Sequence, residues 1–370
     1  MIQCDMIIKS LEVNNFRNHE KTLITLSEGV NVFVGQNAQG KTNLLEAIYL
    51  TCVGRGWRTN KDKEMIKFDK ELSTVKTKAL KRFGEVSVEV HIQKIGKKVI
   101  KINDIPVQKM GELMGQVNCV FFSPDELRLI KDAPADRRRF LDIDISQIDK
   151  AYFYSLLRYN KILLQRNALL KSKTEDIVRG LEVWDIQLAK AGALIMSRRI
   201  SYIEQLKPYI EKIHKYLVGG KEEILISYIN ITSVKCEGVL NGLGQEEIEE
   251  VLLGQLIEAR DKDMRLKTTT VGPHRDDLLI LLNGKDVRYF ASQGQQRTAA
   301  LSLKLGELQA FEEITGERPV LLLDDVFSEL DESRQARLVK ILNKCQSIIT
   351  TTHDVVVNAK VFKIEDGRVV

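Results

Sequence analysis

The sequence predicts an α/β protein that combines parallel and antiparallel sheets with an inserted α-helical lobe. Three patterns lead to this prediction. The uninterrupted apolar run Val320–Leu323 is typical of a strand buried on both faces in a parallel sheet covered by helices. Residues 74–108 alternate apolar and polar side chains and turn at Ile95-Gly96-Lys97, which indicates antiparallel strands. Within residues 136–265, apolar residues recur at helical spacing, which favours long amphipathic helices.

The order of these patterns divides the chain into three segments. Residues 1–135 hold the first strands, a glycine-rich loop and the antiparallel strands. Residues 136–265 form the helical insertion, and residues 266–370 return to strand patterns with a hairpin at Asn283-Gly284. The run QSIITTTHD, residues 346–354, is expected to be the last strand. We therefore expect one α/β lobe built from both ends of the chain and a second lobe inserted into it.

Composition limits the classes to which the chain can belong. Its 370 residues are 44% hydrophobic and carry a formal net charge of +5, which favours an anionic partner only weakly. Five scattered cysteines without a C-x-x-C pair argue against a disulfide framework or a zinc site and indicate a reducing compartment. The N-terminus is too polar for a signal peptide, and no apolar run approaches the roughly 20 residues of a membrane span. We expect a cytoplasmic protein without a membrane segment.

A glycine-rich loop near the N-terminus has the residues of a phosphate-binding site. The segment Gly35-Gln36-Asn37-Ala38-Gln39-Gly40-Lys41-Thr42 fits G-x-x-x-x-G-K-[ST] in full, follows a strand at Val30–Val34 and opens a helix from about Lys41. Its glycines let backbone N–H groups turn toward a phosphate, and the helix N-terminus adds positive potential. Lys41 can reach the β- and γ-phosphates, and the Thr42 hydroxyl is placed to bind Mg²⁺. The loop therefore predicts a nucleoside triphosphate bound with Mg²⁺.

Two adjacent carboxylates follow the apolar strand that starts at Val320. Asp324 and Asp325 come at its carboxyl end, where α/β sheets place ligands. Asp324 is expected to hold Mg²⁺ through water, and Asp325 to orient and activate an attacking water. Paired aspartates after a strand also serve as helix caps. The complete phosphate loop elsewhere in the chain favours the catalytic interpretation.

Four segments resemble, in their order along the chain, the motifs of ABC-type ATPases. They are GQNAQGKT (35–42), SQGQQ (292–296), VLLLDDVFSELD (320–331) and TTTHD (350–354). In that family these are the Walker A loop, the signature, Walker B with the D-loop, and the switch histidine. A finer resemblance, to the RecF family of bacterial recombination-mediator ATPases with an SMC-like head, covers essentially the whole chain. Its more specific segments are NFRNHE (15–20), GRGWRTNKDKEMI (54–66), VFFSPDELRLIKDAPADRRRFLD (120–142), GPHRDDL (272–278) and SQGQQRT (292–298).

The resemblance implies roles for single residues. Arg17 takes the place of an arginine near the nucleotide, and His353 takes the switch position beside the γ-phosphate. Asp331 falls in the D-loop. Ser292 and Gly294 take the signature positions that touch the γ-phosphate.

The signature segment also raises the question of oligomeric state. Ser292 and Gly294 precede a helix expected from about Gln295, and this arrangement makes a second anion site. Two incomplete phosphate sites on one chain imply a head-to-tail homodimer, in which each signature contacts the ATP of the other copy.

Two positions depart from the family pattern. Asp325 stands where the catalytic glutamate is usual, and its shorter side chain implies slow hydrolysis. The segment FFSPDEL offers Ser123 and no glutamine for the Q-loop, so that contact has no assigned residue. His274 has no derived chemistry. The arginines of DRRRF (136–140) are expected at an exposed helix start, with a contact to a phosphate as the alternative.

For function, the resemblance implies ATP-dependent binding to duplex DNA, gapped DNA or single-strand/duplex junctions in repair and replication restart. Homodimerisation with ATP, partnership with RecO and RecR in loading RecA, and a location at the nucleoid are implied with it. Two alternatives stay open. One is the soluble ATPase subunit of a transporter. The other is an SMC-like chromosome-organising head, whose long heptad coiled coil is replaced here, between Thr42 and Ser292, by a hairpin and a helical lobe.

Overall fold

The structure, a computed structural model, describes residues 4–172, 177–230, 240, 242–352 and 358–370. The chain divides into two compact units. Unit 1 consists of Met1–Leu127, Tyr209–Glu222 and Gln293–Val370, and unit 2 consists of Arg128–Pro208 and Glu223–Ser292. The three-segment division at residues 135 and 265 stays a prediction.

The elements of the described residues are numbered in chain order. The strands are β1 (Cys4–Asp5), β2 (Ile7–Phe16), β3 (His19–Thr25), β4 (Val30–Val34), β5 (Leu72–Lys81), β6 (Gly84–Gln93), β7 (Val99–Ile102), β8 (Ile105–Pro106), β9 (Cys119–Phe122), β10 (Ile224–Ile229), β11 (Asp277–Leu282), β12 (Lys285–Asp286), β13 (Glu317–Arg318), β14 (Val320–Asp324), β15 (Ser347–Thr351), β16 (Ala359–Glu365) and β17 (Arg368–Val369). The helices are α1 (Lys41–Val53), α2 (Arg128–Lys131), α3 (Pro134–Ile148), α4 (Lys150–Lys171), α5 (Ile177–Val218), α6 (Gln245–Glu258), α7 (Arg260–Leu266), α8 (Val287–Phe290), α9 (Gln293–Thr315) and α10 (Glu332–Leu342).

A mainly parallel sheet in unit 1 has the strand order β17-β16-β4-β15-β14-β9, with only β17 antiparallel to its neighbour in the described residues. Val320–Leu323 is buried throughout, which confirms the prediction of a parallel strand covered on both faces. In register, Asp324 pairs with Thr350, and Thr351 pairs with Val34. The carboxyl ends of β14, β15 and β4 therefore lie at one edge of the sheet.

The expectation that residues 346–354 form the last strand is wrong. β16 follows and pairs in parallel with β4, and β17 returns antiparallel to β16. Much of β16 is exposed, so its sequence AKVFKIE lacks the continuous apolar run that made β14 recognisable.

An antiparallel sheet, also in unit 1, has the order β3-β2-β5-β6-β7-β8. β5 and β6 alternate buried and less buried side chains, as the pattern over 74–108 predicts. The chain turns at Arg82-Phe83 as well as around the expected Gly96.

Helix α1 contacts strands of both sheets, among them β15 of the parallel sheet and β5 of the antiparallel one. The sequence pattern places Leu44, Leu45, Ile48 and Tyr49 on one apolar face. In the structure the helix is instead buried on nearly all sides, and even Glu46 is completely enclosed. Because α1 follows the phosphate loop directly, the two sheets fix the direction in which that loop points.

Unit 2 contains the long helices α3, α4 and most of α5, as the helical spacing predicts. The segment 136–265, predicted to be a helical insertion, also includes β10, which pairs antiparallel with β11 beside the predicted Asn283-Gly284 hairpin. No helix among the described residues combines the length and the apolarity needed to cross a membrane.

Buried ion pairs hold unit 2 together. Arg166 donates from Nε to Asp185 and from Nη1 to Asp263, both at 2.7 Å, and all three side chains are fully buried. Arg137 is 1% exposed and donates to Asp277 from Nε at 2.6 Å, so the expectation of an exposed helix start is wrong for this residue. Removing one member of such a pair leaves an uncompensated buried charge, which destabilises a protein strongly.

His274 also has a structural place in unit 2. Its Nε2 lies 3.1 Å from the Thr269 carbonyl, and its Nδ1 lies 2.6 Å from the Tyr159 hydroxyl. A neutral ring satisfies both contacts, because Nε2–H donates to the carbonyl while Nδ1 accepts from the hydroxyl. Burial, with nearby arginine charges, lowers the pKa of His274 to about 4.

We predict that unit 2 loses stability in acid through His274. The unfolded chain takes up this proton near pH 6.5, whereas the folded chain resists it until about pH 4. The contribution is therefore complete above pH 6.5 and falls as the pH drops through that window, by about 3 kcal/mol at most. Urea unfolding at pH 7.5 and pH 4.5 should show a smaller acid loss for His274→Gln than for the wild type. Equal losses would contradict the assignment.

Candidate nucleotide-binding site

The phosphate-binding loop, Gly35–Gly40, connects β4 to α1. Two of its residues have positive φ angles, which residues with a side chain rarely adopt. Ala38 has φ +65° and Gly40 has φ +110°. A Cβ on Gly40 would stand 2.6 Å from Asn18 Oδ1 and 2.8 Å from His19 Nε2. Glycine is therefore required here both for the backbone angle and for the close approach of the β2–β3 turn.

Hydrogen bonds from neighbouring elements hold the loop from behind. Asn18 Nδ2 donates to the Gln39 carbonyl at 3.0 Å, and the Gly367 N–H donates to the same carbonyl at 3.0 Å. His19 Nε2 lies 3.0 Å from the Gly40 carbonyl, and burial lowers the pKa of His19, which favours its neutral form as a donor. These bonds all use carbonyl groups of the loop, and none of them uses a loop N–H group.

Lys41, the first residue of α1, folds back over the loop. Its Nζ donates to the carbonyls of Gly35 at 2.6 Å and Gln36 at 2.8 Å. Burial lowers the pKa of Lys41, while the charges of Asp325 and Asp324 act in the opposite direction. Since Gly40 has no side chain to cap α1, the helix N-terminus and this ammonium together provide positive potential for a phosphate.

Asp324 joins the loop to the sheet. Thr42 Oγ1 donates to Asp324 Oδ1 at 2.7 Å, and Thr350 Oγ1 donates to the same oxygen at 2.6 Å. Burial raises the pKa of Asp324, and the two threonine hydrogen bonds and the charge of Arg58 counteract part of that effect. A hydroxyl and a carboxylate in contact are oxygen ligands of the kind that Mg²⁺ takes together with phosphate oxygens and water. The side chains of Thr42 and Asp324 therefore fit the predicted metal site.

Asp325 has a constrained backbone one residue further on. Its φ is +47°, and its N–H donates to Thr350 at both the carbonyl, 3.1 Å away, and Oγ1, 3.0 Å away. Its carbonyl accepts from the Ser328 hydroxyl at 2.8 Å. Hydrogen bonds on both sides therefore fix the left-handed backbone of Asp325.

A buried carboxylate behind the loop binds two arginines. Glu46 accepts from Arg17 Nε at 2.9 Å and from Arg58 Nη2 at 2.6 Å. Burial would raise the pKa of Glu46, but the arginines outweigh it and hold the pKa below its usual value. Arg17 also donates to the Glu64 carbonyl at 2.9 Å. Its predicted contact with a nucleotide stays a prediction.

Arg58 is the site residue that sequence reasoning missed. Besides binding Glu46 it donates to Asn43 on α1, and its charge acts on Asp324. It lies in the segment GRGWRTNKDKEMI, which carries part of the family resemblance, but no spacing rule connects it to the loop.

Ser123, the residue at the expected Q-loop position, is buried, and its hydroxyl has no hydrogen-bonding partner among the residues that the structure describes.

The signature segment lies at the start of α9. This helix begins at Gln293, two residues earlier than expected, so Ser292 directly precedes it and Gly294 lies in its first turn. Both residues are exposed, and a Cβ on Gly294 would meet no atom within 4 Å. Further along, the helix is anchored by four buried residues whose apolar spacing in the sequence predicts this face: Ala299, Ala300, Leu303 and Leu308.

Two residues with roles implied by the family resemblance, Asp331 and His353, are still to be placed. Asp331 caps α10, where its Oδ1 accepts from the Arg334 N–H at 2.9 Å and its Oδ2 pairs with Arg334 Nη1 at 2.8 Å. Its D-loop role stays a prediction. His353 lies outside the described residues.

Comparisons with known proteins agree on the family. The model of the RecF/RecN/SMC N-terminal domain matches residues 7–365. The DNA replication and repair protein RecF of Clostridium perfringens (strain SM101) is 43% identical over 372 residues, which covers 98% of this chain and 99% of that protein.

Solved structures agree on the fold. The recombination mediator protein RecF with ATP, of the RecFOR pathway, is 44% identical and matches with a TM-score of 0.89, covering 99% of each chain. An Smc head bound to the C-terminal winged-helix domain of ScpA is 16% identical, with a TM-score of 0.57 and coverage of 98% of this chain and 96% of that one. The predicted fold, an ABC-type ATPase head with mixed sheets and added helices, is confirmed.

We predict that Gly40→Ala destabilises the protein by roughly 1–3 kcal/mol, because alanine meets both the left-handed backbone and the contacts with Asn18 and His19. Gly254→Ala is the matched control. Gly254 lies exposed within α6 with no atom within 4 Å of a new Cβ, so alanine there should stabilise by about 0.5–1 kcal/mol. Thermal unfolding of both variants decides the point, and a Gly40→Ala variant as stable as the wild type would contradict the account.

Proposed function

Because the chain belongs to the RecF family, within the RecF/RecN/SMC N-terminal-domain family, we propose that it is an ATP-dependent DNA-binding ATPase of recombinational DNA repair and replication restart. The observation that carries the proposal is the 2.7 Å hydrogen bond from Thr42 to Asp324. It brings the end of a complete phosphate-binding loop against a carboxylate at the carboxyl edge of a parallel sheet, which is where such sheets bind ligands.

ATP binds at the phosphate-binding loop. Positive φ angles at Ala38 and Gly40 curl the backbone so that successive N–H groups can converge on one anion. Gln36, Asn37 and Gln39 supply further N–H groups. When ATP binds, Lys41 Nζ gives up its hydrogen bonds to the two loop carbonyls and donates to oxygens of the β- and γ-phosphates instead. Arg17 approaches the nucleotide from the end of β2.

Thr42 and Asp324 are the residues that would hold Mg²⁺, which would neutralise charge on the phosphates. Asp325, turned by its left-handed backbone and held by Thr350, orients the attacking water and accepts its proton. Lys41 and His353 complete the catalytic set. Because aspartate is one methylene shorter than the usual glutamate, the water is positioned less closely and hydrolysis is slow.

The functional state is an ATP-induced homodimer. Ser292 and Gly294 are exposed at the N-terminus of α9, and the open space over Gly294 leaves room for a phosphate. In a two-fold head-to-tail dimer each signature meets the γ-phosphate held by the other copy, and both sites are completed together.

The dimer binds gapped or duplex DNA, or single-strand/duplex junctions, and promotes RecA loading together with RecO and RecR. The solved RecF relative belongs to the RecFOR pathway, which supports these partners. ATP gates the process because it holds the two copies together, so that slow hydrolysis sets how long the dimer remains on DNA.

We predict that Lys41→Met lowers ATP affinity by about 10- to 100-fold, since the charge-assisted contacts of the ammonium are lost. The same variant should lose the ATP-dependent gain in affinity for a gapped duplex. A fluorescent ATP analogue measures the first effect, and anisotropy of labelled DNA at fixed salt measures the second.

Lys161→Met, a change at an exposed lysine of α4, is the control and should behave like the wild type. If the wild type binds DNA with the same affinity in the presence and in the absence of ATP, the proposal is contradicted. Co-purification with a membrane protein, without DNA binding at low salt, would point to a transporter subunit instead.

A further inference from the structure

Two aromatic side chains stand exposed directly before the signature segment. Tyr289 is 75% exposed and Phe290 is 70% exposed. Ser292, Gln293 and Gly294 are exposed as well, so the stretch from Tyr289 to Gly294 is open to solvent almost without interruption. Single exposed apolar residues are ordinary, but an adjacent aromatic pair beside a proposed contact site is typical of an interaction surface.

Arg288 contacts the aromatic pair and is itself fixed by two carboxylates. Arg288 donates from Nη2 to Asp286 Oδ2 at 2.6 Å and pairs with Asp277 at 3.5 Å. Its guanidinium lies 5.3 Å from the centre of the Tyr289 ring, and the two aromatic rings meet edge to face with centroids 6.5 Å apart. The contact with Arg288 restricts the Tyr289 ring, and a restricted side chain loses less conformational entropy when it is covered.

We propose that Tyr289 and Phe290 pack against a second copy of this chain in the ATP-bound dimer. The inference rests on the proposed function, in which Ser292 contacts the ATP of that copy. Phe290 is two residues from Ser292, at most about 7 Å along the backbone. A surface that presents a phosphate to Ser292 therefore also reaches the aromatic pair.

The area of the pair suits such a contact. Together the two side chains can bury roughly 300 Å², whereas each partner in a stable interface buries about 800 Å². Aromatic residues also carry a large share of the binding energy in many interfaces. The pair thus supplies an apolar anchor beside the polar signature residues.

The competing occupant is single-stranded DNA, whose bases stack on aromatic rings. The ring planes of Tyr289 and Phe290 are 74° apart, so successive stacked bases cannot lie parallel to both rings. The geometry therefore favours a protein surface, into which two differently oriented rings can insert.

The test is ATP-dependent dimerisation, measured by sedimentation equilibrium with ATP and Mg²⁺, for a Tyr289→Ser/Phe290→Ser double variant. We expect its dimer to be at least about tenfold weaker than that of the wild type, with ATP binding by the monomer retained. Phe83→Ser is the matched control. Phe83 is 91% exposed and has the Arg82 guanidinium 5.3 Å from its ring, so it has the same chemistry at another place and should not alter dimerisation.

The outcomes separate this inference from the proposed function. A double variant that dimerises like the wild type, while Ser292→Arg does not dimerise, overturns the role of the aromatic pair alone. A wild type that stays monomeric with ATP overturns the dimer itself. An unchanged dimer with weaker binding of a labelled oligo(dT) assigns the pair to DNA and also overturns the inference. Thermal unfolding verifies that the double variant is folded; if it is not, Phe290→Ser, which keeps the Arg288–Tyr289 contact, replaces it.

Discussion

The candidate nucleotide-binding site depends on one carboxylate oxygen, Oδ1 of Asp324. Asp324 Oδ1 accepts hydrogen bonds from Thr42, at the start of α1, and from Thr350, at the end of β15. Burial alone favours the protonated acid, and the two hydroxyls together with the charge of Arg58 favour the carboxylate. The phosphate-binding loop, the central sheet and the predicted metal ligand are therefore positioned by the same group, so that a disturbance of any one of them reaches the other two.

Behind the loop, Glu46 connects α1 to neighbouring segments through hydrogen bonds, as Asp324 connects the sheet edge to α1. It is completely buried, and its charge is compensated by Arg17 from the end of β2 and by Arg58 from the segment after α1. A buried carboxylate with two arginines is costly to disturb, because removal of one partner leaves charge without compensation. The glycine loop is thus supported by two carboxylates, Glu46 on α1 and Asp324 at the end of β14.

Local sequence patterns were sufficient to predict the elements whose residues all lie in the same kind of surroundings. Val320–Leu323 is apolar throughout because the strand is covered on both faces, and the phosphate loop keeps its glycines because Gly40 has no room for a Cβ. Features that depend on distant residues could not be predicted. Arg137 looks like a surface residue until Asp277, 140 residues away, is placed beside it, and Arg58 likewise gains its position from Glu46. Strand β16 was missed because most of its side chains are exposed, so its sequence has no continuous apolar run.

The central claim is that Ser292 completes the ATP site of another copy, and a mixing experiment tests it most directly. Lys41→Met removes one half of a composite site and Ser292→Arg removes the other, so neither variant alone should hydrolyse ATP. In a mixed dimer, the intact loop of the Ser292→Arg copy meets the intact signature of the Lys41→Met copy, and one complete site is restored. We predict that the mixture regains ATPase activity that neither variant has by itself. A mixture as inactive as its components, although mixed dimers form, would contradict the account.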